Sequence, residues 1–161
     1  MSADEQNKWK EAFGQSFDLV VNPIRVLGTQ GTLVCLDGMV DKVLLEEGVL
    51  EPLAEGTGEI AALPAIVRSS SPLEEVATFE DAVDLVAQGD VVLEVEERLW
   101  SISLRKVDKR AITEPPTSSV IKGPREGFGE EIAQNISLLR RRIKDKSLIA
   151  YRTVVGEITR T

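Results

Sequence analysis

The stretch KRAITEPPTSSVIKGPREGFGEEIAQNISLLRRRI, residues 109–143, decides how this chain is organised. Pro115 and Pro116 each fix φ at about −65° and disfavour helix in the preceding residue, so they predict a stiff, extended joint. Residues 123–127, GPREG, predict a turn, because glycine and proline are the strongest local breaks in regular structure. A helix is predicted over residues 128–143 from apolar side chains at helical spacing, which we expect to dock on the rest of the chain. These apolar positions are Ile132, Ile136, Leu139 and Ile143.

Three blocks of this stretch, in this order and spacing, resemble a known family. They are KRAIxEP at residues 109–115, GPREGF at 123–128 and NIxLLRRRI at 135–143. Together they resemble the N-terminal soluble domain of the A subunit of the GerA-type spore germinant receptors, to which the stage V sporulation protein AF type is a near relative. The resemblance implies a domain on the cytoplasmic side of the spore inner membrane. It also implies membrane spans after this domain in the full-length protein, and other receptor subunits as partners.

The composition predicts one domain, or two small subdomains, that are soluble when isolated. The 161 residues suffice for a hydrophobic core, and no stretch approaches roughly 18 uninterrupted apolar residues, the length needed to span a membrane. The N-terminus, MSADEQNKWKEAF, is charged throughout and lacks the apolar core of a signal peptide. Cys35 is the only cysteine, which excludes an internal disulfide and fits a reducing compartment.

Catalysis and metal binding are both disfavoured, because the sequence contains no histidine. Histidine is the commonest general base and a common zinc ligand, and no nucleophile has a visible base beside it. We therefore expect no enzyme, no catalytic residue, no metal and no cofactor. Glu46, Glu47 and Glu51 are interpreted as the solvated side of a helix rather than as paired catalytic carboxylates. Cys35 is interpreted as a core residue, and Asp37 as a turn residue rather than a general base.

The charge is distributed unevenly along the chain, whose net charge is −8. Up to Leu104 there are 6 Lys and Arg against 20 Asp and Glu, a balance of −14; from Arg105 onward there are 13 against 7, a balance of +6. The two halves are expected to attract each other, or the basic half to face an anionic partner. The overall acidity argues against a general nucleic-acid binder.

The predicted fold class is α/β, with a mixed sheet, flanking helices and two small subdomains joined by a proline-containing linker. The first subdomain is predicted over residues 1–112, with a helix at residues 3–13 docked on it through Trp9 and Phe13. Residues 113–127 form the linker and the GPREG turn. The second subdomain covers residues 128–161. Compared with the family it is expected to be truncated at its C-terminal end, where it lacks a last strand and helix.

Local signals place the remaining elements. Strands are predicted where apolar runs lie between turn residues, and helices where capping residues precede apolar residues at helical spacing. Pro23 lacks an N–H, so its strand is expected at an edge of the sheet. Asp41 is predicted to cap a helix that turns Val43 and Leu44, among others, toward the core. The predicted strands are 19–27, 32–36, 91–95, 99–104 and 148–155, and the predicted helices are 41–53, 59–67 and 79–88.

The GPREG turn is the candidate ligand site. It precedes a helix N-terminus, where free N–H groups and the positive dipole end favour anions, and Arg125 is suited to clamp a carboxylate. The alternative is a purely structural turn, since the lysine and Ser/Thr of a phosphate loop are absent. Asn135 either lines a cleft or bonds to nearby backbone. The candidate ligand-binding residues are Gly123, Arg125, Glu126, Gly127 and Asn135.

Basic residues at the end of the helix are candidates for contact with a partner or with the other subdomain. Neutralisation of acidic surface on the first subdomain is favoured over nucleic-acid binding, because that part of the chain is strongly acidic. The candidate contact residues are Arg140, Arg141, Arg142, Lys109 and Arg110.

Two functions from different classes remain. In the first, a small nutrient such as an amino acid binds between the subdomains and biases a hinge at Pro115 and Pro116, which transmits the signal to the attached membrane spans. In the second, the chain is a protein–protein assembly module that clusters receptor subunits without binding a ligand. The two-part layout and the anion-friendly helix start support the first, which is the predicted function. The charge asymmetry and the scarcity of aromatic residues, which leaves little material for an apolar pocket, support the second as the alternative.

Overall fold

A five-stranded antiparallel sheet forms the centre of the fold. The computed structural model describes residues 3–106 and 128–153, with side chains from residue 6 onward. The strands are β1 (Leu19–Val26), β2 (Thr29–Leu36), β3 (Glu74–Val76), β4 (Val91–Val95) and β5 (Arg98–Ile102). Their order across the sheet is β1-β2-β4-β5-β3, and each neighbouring pair is antiparallel.

Helices cover both faces of the sheet, so the predicted α/β class is confirmed. The helices are α1 (Ala3–Ala12), α2 (Lys42–Leu45), α3 (Glu51–Glu55), α4 (Leu63–Ile66), α5 (Phe79–Ala87) and α6 (Ile132–Arg142). One face packs against α1 and α5, and the other packs against α2 to α4. A π-helical turn at Glu46–Leu50 joins α2 to α3, and a 3₁₀ turn at Ile60–Ala62 precedes α4.

Strand β2 is almost wholly apolar in its second half and lies inside the sheet, between β1 and β4. Side chains alternate between the faces of a strand. Leu33 and Cys35 therefore face the α2–α4 side, whereas Val34 and Leu36 face the α1–α5 side. Both faces are covered, so every one of these positions is buried. Its neighbour β1, which contains Pro23, lies at an edge of the sheet, as predicted.

The predicted N-terminal helix is present and docks on the sheet through two aromatic residues. Trp9 and Phe13 are fully buried, and the Trp9 ring meets the Phe79 ring edge-on with centroids 4.6 Å apart. The Trp9 Nε1 donates a hydrogen bond of 2.8 Å to the Glu94 carboxylate, which also pairs with Lys8. Glu94 lies on a central strand, so these two partners satisfy a carboxylate that is otherwise buried.

Helix α2 begins as predicted but turns a different face to the core. The Asp41 carboxylate caps it by accepting from the N–H groups of Val43 and Leu44, at 3.0 and 3.2 Å. These two side chains are 60% and 52% exposed, so their predicted place in the core is wrong. The π-helical turn that follows carries an extra residue and shifts the helical phase. Gly48 lies there against Arg68, whose N–H donates to the Gly48 carbonyl at 2.8 Å.

The ends of other elements also differ from the predictions. Strand β3 was missed, because its three residues carry only one apolar side chain. Helix α6 begins at Ile132 rather than at residue 128. Residues 148–153 form no strand, contrary to the strand predicted over 148–155. Residues 154 and 155 lie outside the described part of the chain.

The turn between β4 and β5 is strained, and relieving it should stabilise the protein. Glu96 and Glu97 form a two-residue hairpin loop with φ values of 48° and 64°, a conformation that favours Asn-Gly. Replacing them by Glu96→Asn and Glu97→Gly is expected to raise the free energy of unfolding by about 1 kcal/mol, measured by urea denaturation. The pair Glu96→Gln and Glu97→Gln removes the same charges but keeps the strain. An equal gain in that control would contradict the explanation.

Candidate functional site

Helix α6 packs against the sheet domain, defined as residues 3–106, through a polar face. Ser137 and Arg140 are its buried side chains. The backbone of Gly38 approaches closely, because a Cβ built there would lie 3.3 Å from the Ser137 Cβ. A side chain at position 38 would require α6 to shift by a few tenths of an ångström. The contact is therefore made by small and polar groups.

Arg140 is the centre of this contact and is completely buried. Its Nε donates to the Asp18 Oδ2 at 2.8 Å, and its Nη2 donates to the Asp18 Oδ1 and the Ser16 Oγ, each at 3.0 Å. The Ser16 hydroxyl donates to Asp18 at 2.6 Å and accepts from the Ala150 N–H at 2.8 Å. Both charges thus have hydrogen-bonding partners, as a buried ion pair requires.

The ionisation of Asp18 is controlled by this cluster. Burial raises the pKa of Asp18, but hydrogen bonds from Arg140 and Ser16, together with the charge of Arg140, outweigh burial and hold that pKa below its usual value of 3.8. The carboxylate therefore remains charged at every physiological pH.

Acid should weaken the contact only at low pH. A carboxyl group whose pKa is depressed by the contact contributes stability that is fully present above its ordinary pKa and is lost as the pH falls through the depressed value. Hydrogen exchange in α6, corrected for intrinsic rates, is expected to stay constant from about pH 7 to pH 5 and to accelerate below about pH 4. The Asp18→Asn variant should lose this dependence. A transition near pH 6 would contradict the assignment.

The chain after α6 is tied to the same place. The carbonyl of Asp145 accepts from the Arg140 Nη1 at 3.4 Å, and the carbonyl of Ala150 accepts from the Phe17 N–H at 3.0 Å. The Ile149 side chain lies against Gly14, which has a φ of 57°. Helix α6 and residues 145–150 are therefore held by the same short segment of the sheet domain, residues 14–18.

A charged cleft lies beside this contact. Its volume is about 470 Å³, and it is bounded by residues 37–43 of the sheet domain and by α6. Two of its lining residues form an ion pair, in which the Lys42 Nζ lies 3.0 Å from the Asp37 Oδ1. Both signs of charge line the cleft: Lys42, Lys106 and Arg141 on one hand, and Asp37, Asp41 and Glu131 on the other.

Three of the four stripe positions of α6 face outward and the fourth, Ile136, is half-buried, so the prediction that the stripe packs on the rest of the chain is wrong. Ile132 is 70% exposed, and Leu139 and Ile143 are exposed as well. The buried face begins one residue further along, a rotation of about 100° around the helix. Burial of the Arg140–Asp18 pair and the close approach at Gly38 decide which face docks. Part of the stripe lines an apolar groove of about 550 Å³, together with Phe17 and Tyr151.

The structure places only some of the predicted site residues. Asn135 uses its amide on Gly129, donating to the carbonyl and accepting from the N–H, each at 2.8 Å. Arg141 donates to the carbonyl of Lys106 at 3.4 Å, and Arg142 lines a small hollow beside Leu139. The rest lie outside the described residues: Gly123, Arg125, Glu126, Gly127, Lys109, Arg110 and the Pro115–Pro116 joint.

Sequence reasoning missed Ser16 and Asp18, the partners of Arg140. Their available signal was a serine and an aspartate directly before an apolar strand, a pattern that also fits an ordinary turn. Within residues 3–106 and 128–153, no three His, Cys, Asp or Glu side chains are grouped to hold a metal ion. No helix in those ranges has the length and apolarity needed to cross a membrane.

Cys35 lies away from these features, and its thiol should be inert in the folded protein. Burial raises its pKa to about 11, and thiolate is the reactive form. A disulfide reagent at pH 8 is expected to label Cys35 only at the rate of unfolding, and promptly in denaturant. Rapid labelling of the native protein would show that the strand opens or that the thiol is exposed.

Comparison with known proteins identifies the family. Residues 7–161 match the Bacillus/Clostridium GerA spore germination protein family. The chain belongs to this family. The resemblance found in the three sequence blocks is thereby confirmed.

Relatives of this GerA-family chain are longer than it is. It is 31% identical to stage V sporulation protein AF of Bacillus subtilis (strain 168), over 98% of this chain and 34% of that protein. It is 27% identical to spore germination protein KA of the same strain, over 94% of this chain and 30% of that protein. The chain thus spans about a third of the length of these relatives.

A solved structure has the same fold. It is the crystal structure of the N-terminal domain of the A subunit of the Bacillus megaterium spore germinant receptor GerK3. The two agree with a TM-score of 0.71 at 21% identity, over 95% of this GerA-family chain and 58% of the other. At this identity the likeness establishes the shared fold.

Proposed function

We propose that this chain is the N-terminal domain of a spore germination receptor A subunit and that its charged cleft binds a small nutrient molecule. The observation that carries the proposal is the cleft of about 470 Å³ between residues 37–43 and α6, in a chain of the GerA family. Clefts between packed units are common ligand sites, because both sides supply contacts.

The charges of the cleft favour a zwitterion such as an amino acid. Lys42 and Lys106 offer donors to a carboxylate, and Glu131 and Asp37 offer acceptors to an ammonium group. Val40 and Ala133 add apolar surface for a side chain. The GPREG turn ends a few residues before α6 in sequence, so Arg125 remains a predicted contributor to carboxylate binding.

Signal transmission follows from where the cleft lies. A ligand that contacts both of its walls binds best at one separation of α6 from the sheet domain, so binding shifts the population toward that separation. The relatives are about three times as long as this chain, so most of their length lies outside the matched region. We propose that binding biases a hinge at Pro115 and Pro116, and that an attached membrane part of the full-length protein, at the spore inner membrane, reads this change from its cytoplasmic side.

A ligand panel tests this proposal directly. Thermal unfolding of the chain is measured with amino acids, sugars and salts at millimolar concentration, and one nutrient is expected to stabilise it by roughly 1.4 kcal/mol at ten times its Kd. Lys106→Ala and Glu131→Gln should each reduce that stabilisation, whereas Lys10→Ala on exposed α1 surface should not. Arg125→Ala tests the GPREG turn in the same assay. No response to any compound, or a response unchanged in the cleft variants, would refute nutrient binding in the cleft.

The exposed apolar stripe favours a second candidate, an assembly module that contacts other receptor subunits without binding a ligand. Ile132 and Phe128 are 70% and 67% exposed, and exposed apolar patches commonly mark protein contacts. In this case Ile132→Ser and Leu139→Ser should abolish co-purification with partner subunits, while the cleft variants Lys106→Ala and Glu131→Gln leave it unchanged. Loss of co-purification in the cleft variants alone would contradict this alternative.

A further inference from the structure

The contact between α6 and the sheet domain has an unusual composition for a packed helix. A surface helix ordinarily buries its apolar stripe, and burial of apolar area supplies most of its packing energy. Here Ser137 and Arg140 are the buried side chains, and the apolar stripe is left outside. The helix is therefore held chiefly by shape at Gly38 and by the hydrogen bonds of Arg140.

A buried ion pair is a poor source of net stability but a good source of specificity. Removing two charges from water costs about as much as their attraction returns, so an apolar pair of similar volume often holds two elements more strongly. The geometry of the pair is restrictive, because Arg140 satisfies Asp18 and Ser16 together only when α6 sits in one position. Such a contact has two well-defined states. When it is closed, the charged groups hydrogen-bond to each other, and when it is open, water hydrates them.

The hydrogen bonds of residues 145–150 show which part of the chain would separate from the sheet domain together with α6. Residues 145–150 are anchored on Ser16, Phe17 and Arg140, and those bonds lie within one short region of the surface. Opening that region frees α6 and residues 145–150 together. No strand of the sheet is broken by this, since residues 128–153 contribute none to it.

We propose that the Arg140–Asp18–Ser16 cluster is a latch, and that α6 with residues 145–150 opens from the intact sheet domain as one unit. The closed latch sets the separation between α6 and residues 37–43, and so the width of the charged cleft. Regulation of the cleft by the latch rests on the proposed function. The opening itself does not, and it is tested without any ligand.

Hydrogen exchange measured by mass spectrometry on the whole chain at pH 7 is the test. The Asp18→Asn variant is expected to accelerate exchange in residues 135–142 by at least tenfold, while exchange in β2 and β4 stays unchanged. Asp84→Asn, which removes an exposed carboxylate from α5, should alter neither region. Arg140→Lys keeps the charge but loses the planar fork, so it should give an intermediate acceleration.

A crosslink supplies the reverse experiment. The Cβ built on Gly38 lies 3.3 Å from the Ser137 Cβ, a few tenths of an ångström closer than in most disulfides, and Gly38 has a φ of 81°. A cysteine there is strained in both redox forms, so the reduced double variant is the reference. The double variant Gly38→Cys and Ser137→Cys, once oxidised, should slow exchange in residues 135–142 relative to its own reduced form. If α6 and the sheet accelerate together in Asp18→Asn, or if oxidation leaves α6 unchanged, the latch is overturned. A failure of every nutrient to bind would leave both results intact.

Discussion

Replacing Trp9 by alanine should lower the free energy of unfolding of the sheet domain by about 3–5 kcal/mol, the range for deletion of a large buried aromatic side chain. Trp9 is fully buried between α1 and the sheet, in edge-on contact with Phe79. Its loss leaves a cavity and also removes the hydrogen bond to Glu94. Urea denaturation followed by circular dichroism measures the change.

Two further variants separate packing from hydrogen bonding at this position. Trp9→Phe keeps most of the buried ring but leaves Glu94 with Lys8 as its described side-chain partner, so it should cost about 1–3 kcal/mol. Lys10→Ala, on the exposed side of α1, should change stability by less than about 0.5 kcal/mol. An unaltered midpoint in Trp9→Ala would show that α1 does not belong to the cooperative unit.

Replacing Arg140 by methionine should cost about 3–5 kcal/mol of docking free energy, because it leaves Asp18 buried without its counter-charge. This loss falls on α6 rather than on the sheet. Hydrogen exchange in residues 135–142 should become nearly unprotected, and the urea midpoint of the sheet domain should move little.

The double variant Arg140→Met and Asp18→Leu should be measured beside Arg140→Met, because it removes both charges of the pair. It replaces both charges by apolar groups of comparable size, so docking should recover most of the loss. Recovery would show that the pair specifies position more than it supplies strength. If the double variant is as loose as Arg140→Met alone, the pair is itself the main source of docking energy.

Local sequence signals predicted the helix caps and strands that depend on residues close together in the chain. Asp41 caps a helix as predicted, by accepting from the backbone N–H groups of Val43 and Leu44. The apolar run at residues 32–36 was likewise predicted as a strand, and it forms part of β2. In each case the deciding contact lies within a few positions along the chain.

The errors came from contacts between distant residues. Val43 and Leu44 fit a regular helix with an inward stripe, but a π-helical turn follows at Glu46–Leu50 and changes the helical phase. The Gly48 carbonyl of that turn accepts from the distant Arg68 N–H. The orientation of α6 depends on Arg140 reaching Asp18, 122 positions away in sequence. Periodicity identified the apolar stripe correctly, but it carries no information on whether a buried charge decides the docked face.

The arrangement of the strands has a consequence for how this protein folds. The hairpins β1–β2 and β4–β5 close short loops, whereas β2–β4 pairing joins residues about 60 positions apart and is entropically slower. That pairing is therefore the expected rate-limiting step. During synthesis the five strands of the described sheet precede residue 140, so Arg140 arrives at a surface that already exists. Docking of α6 then follows the slow step, so refolding should show the arginine contact forming with or after the sheet and not before it.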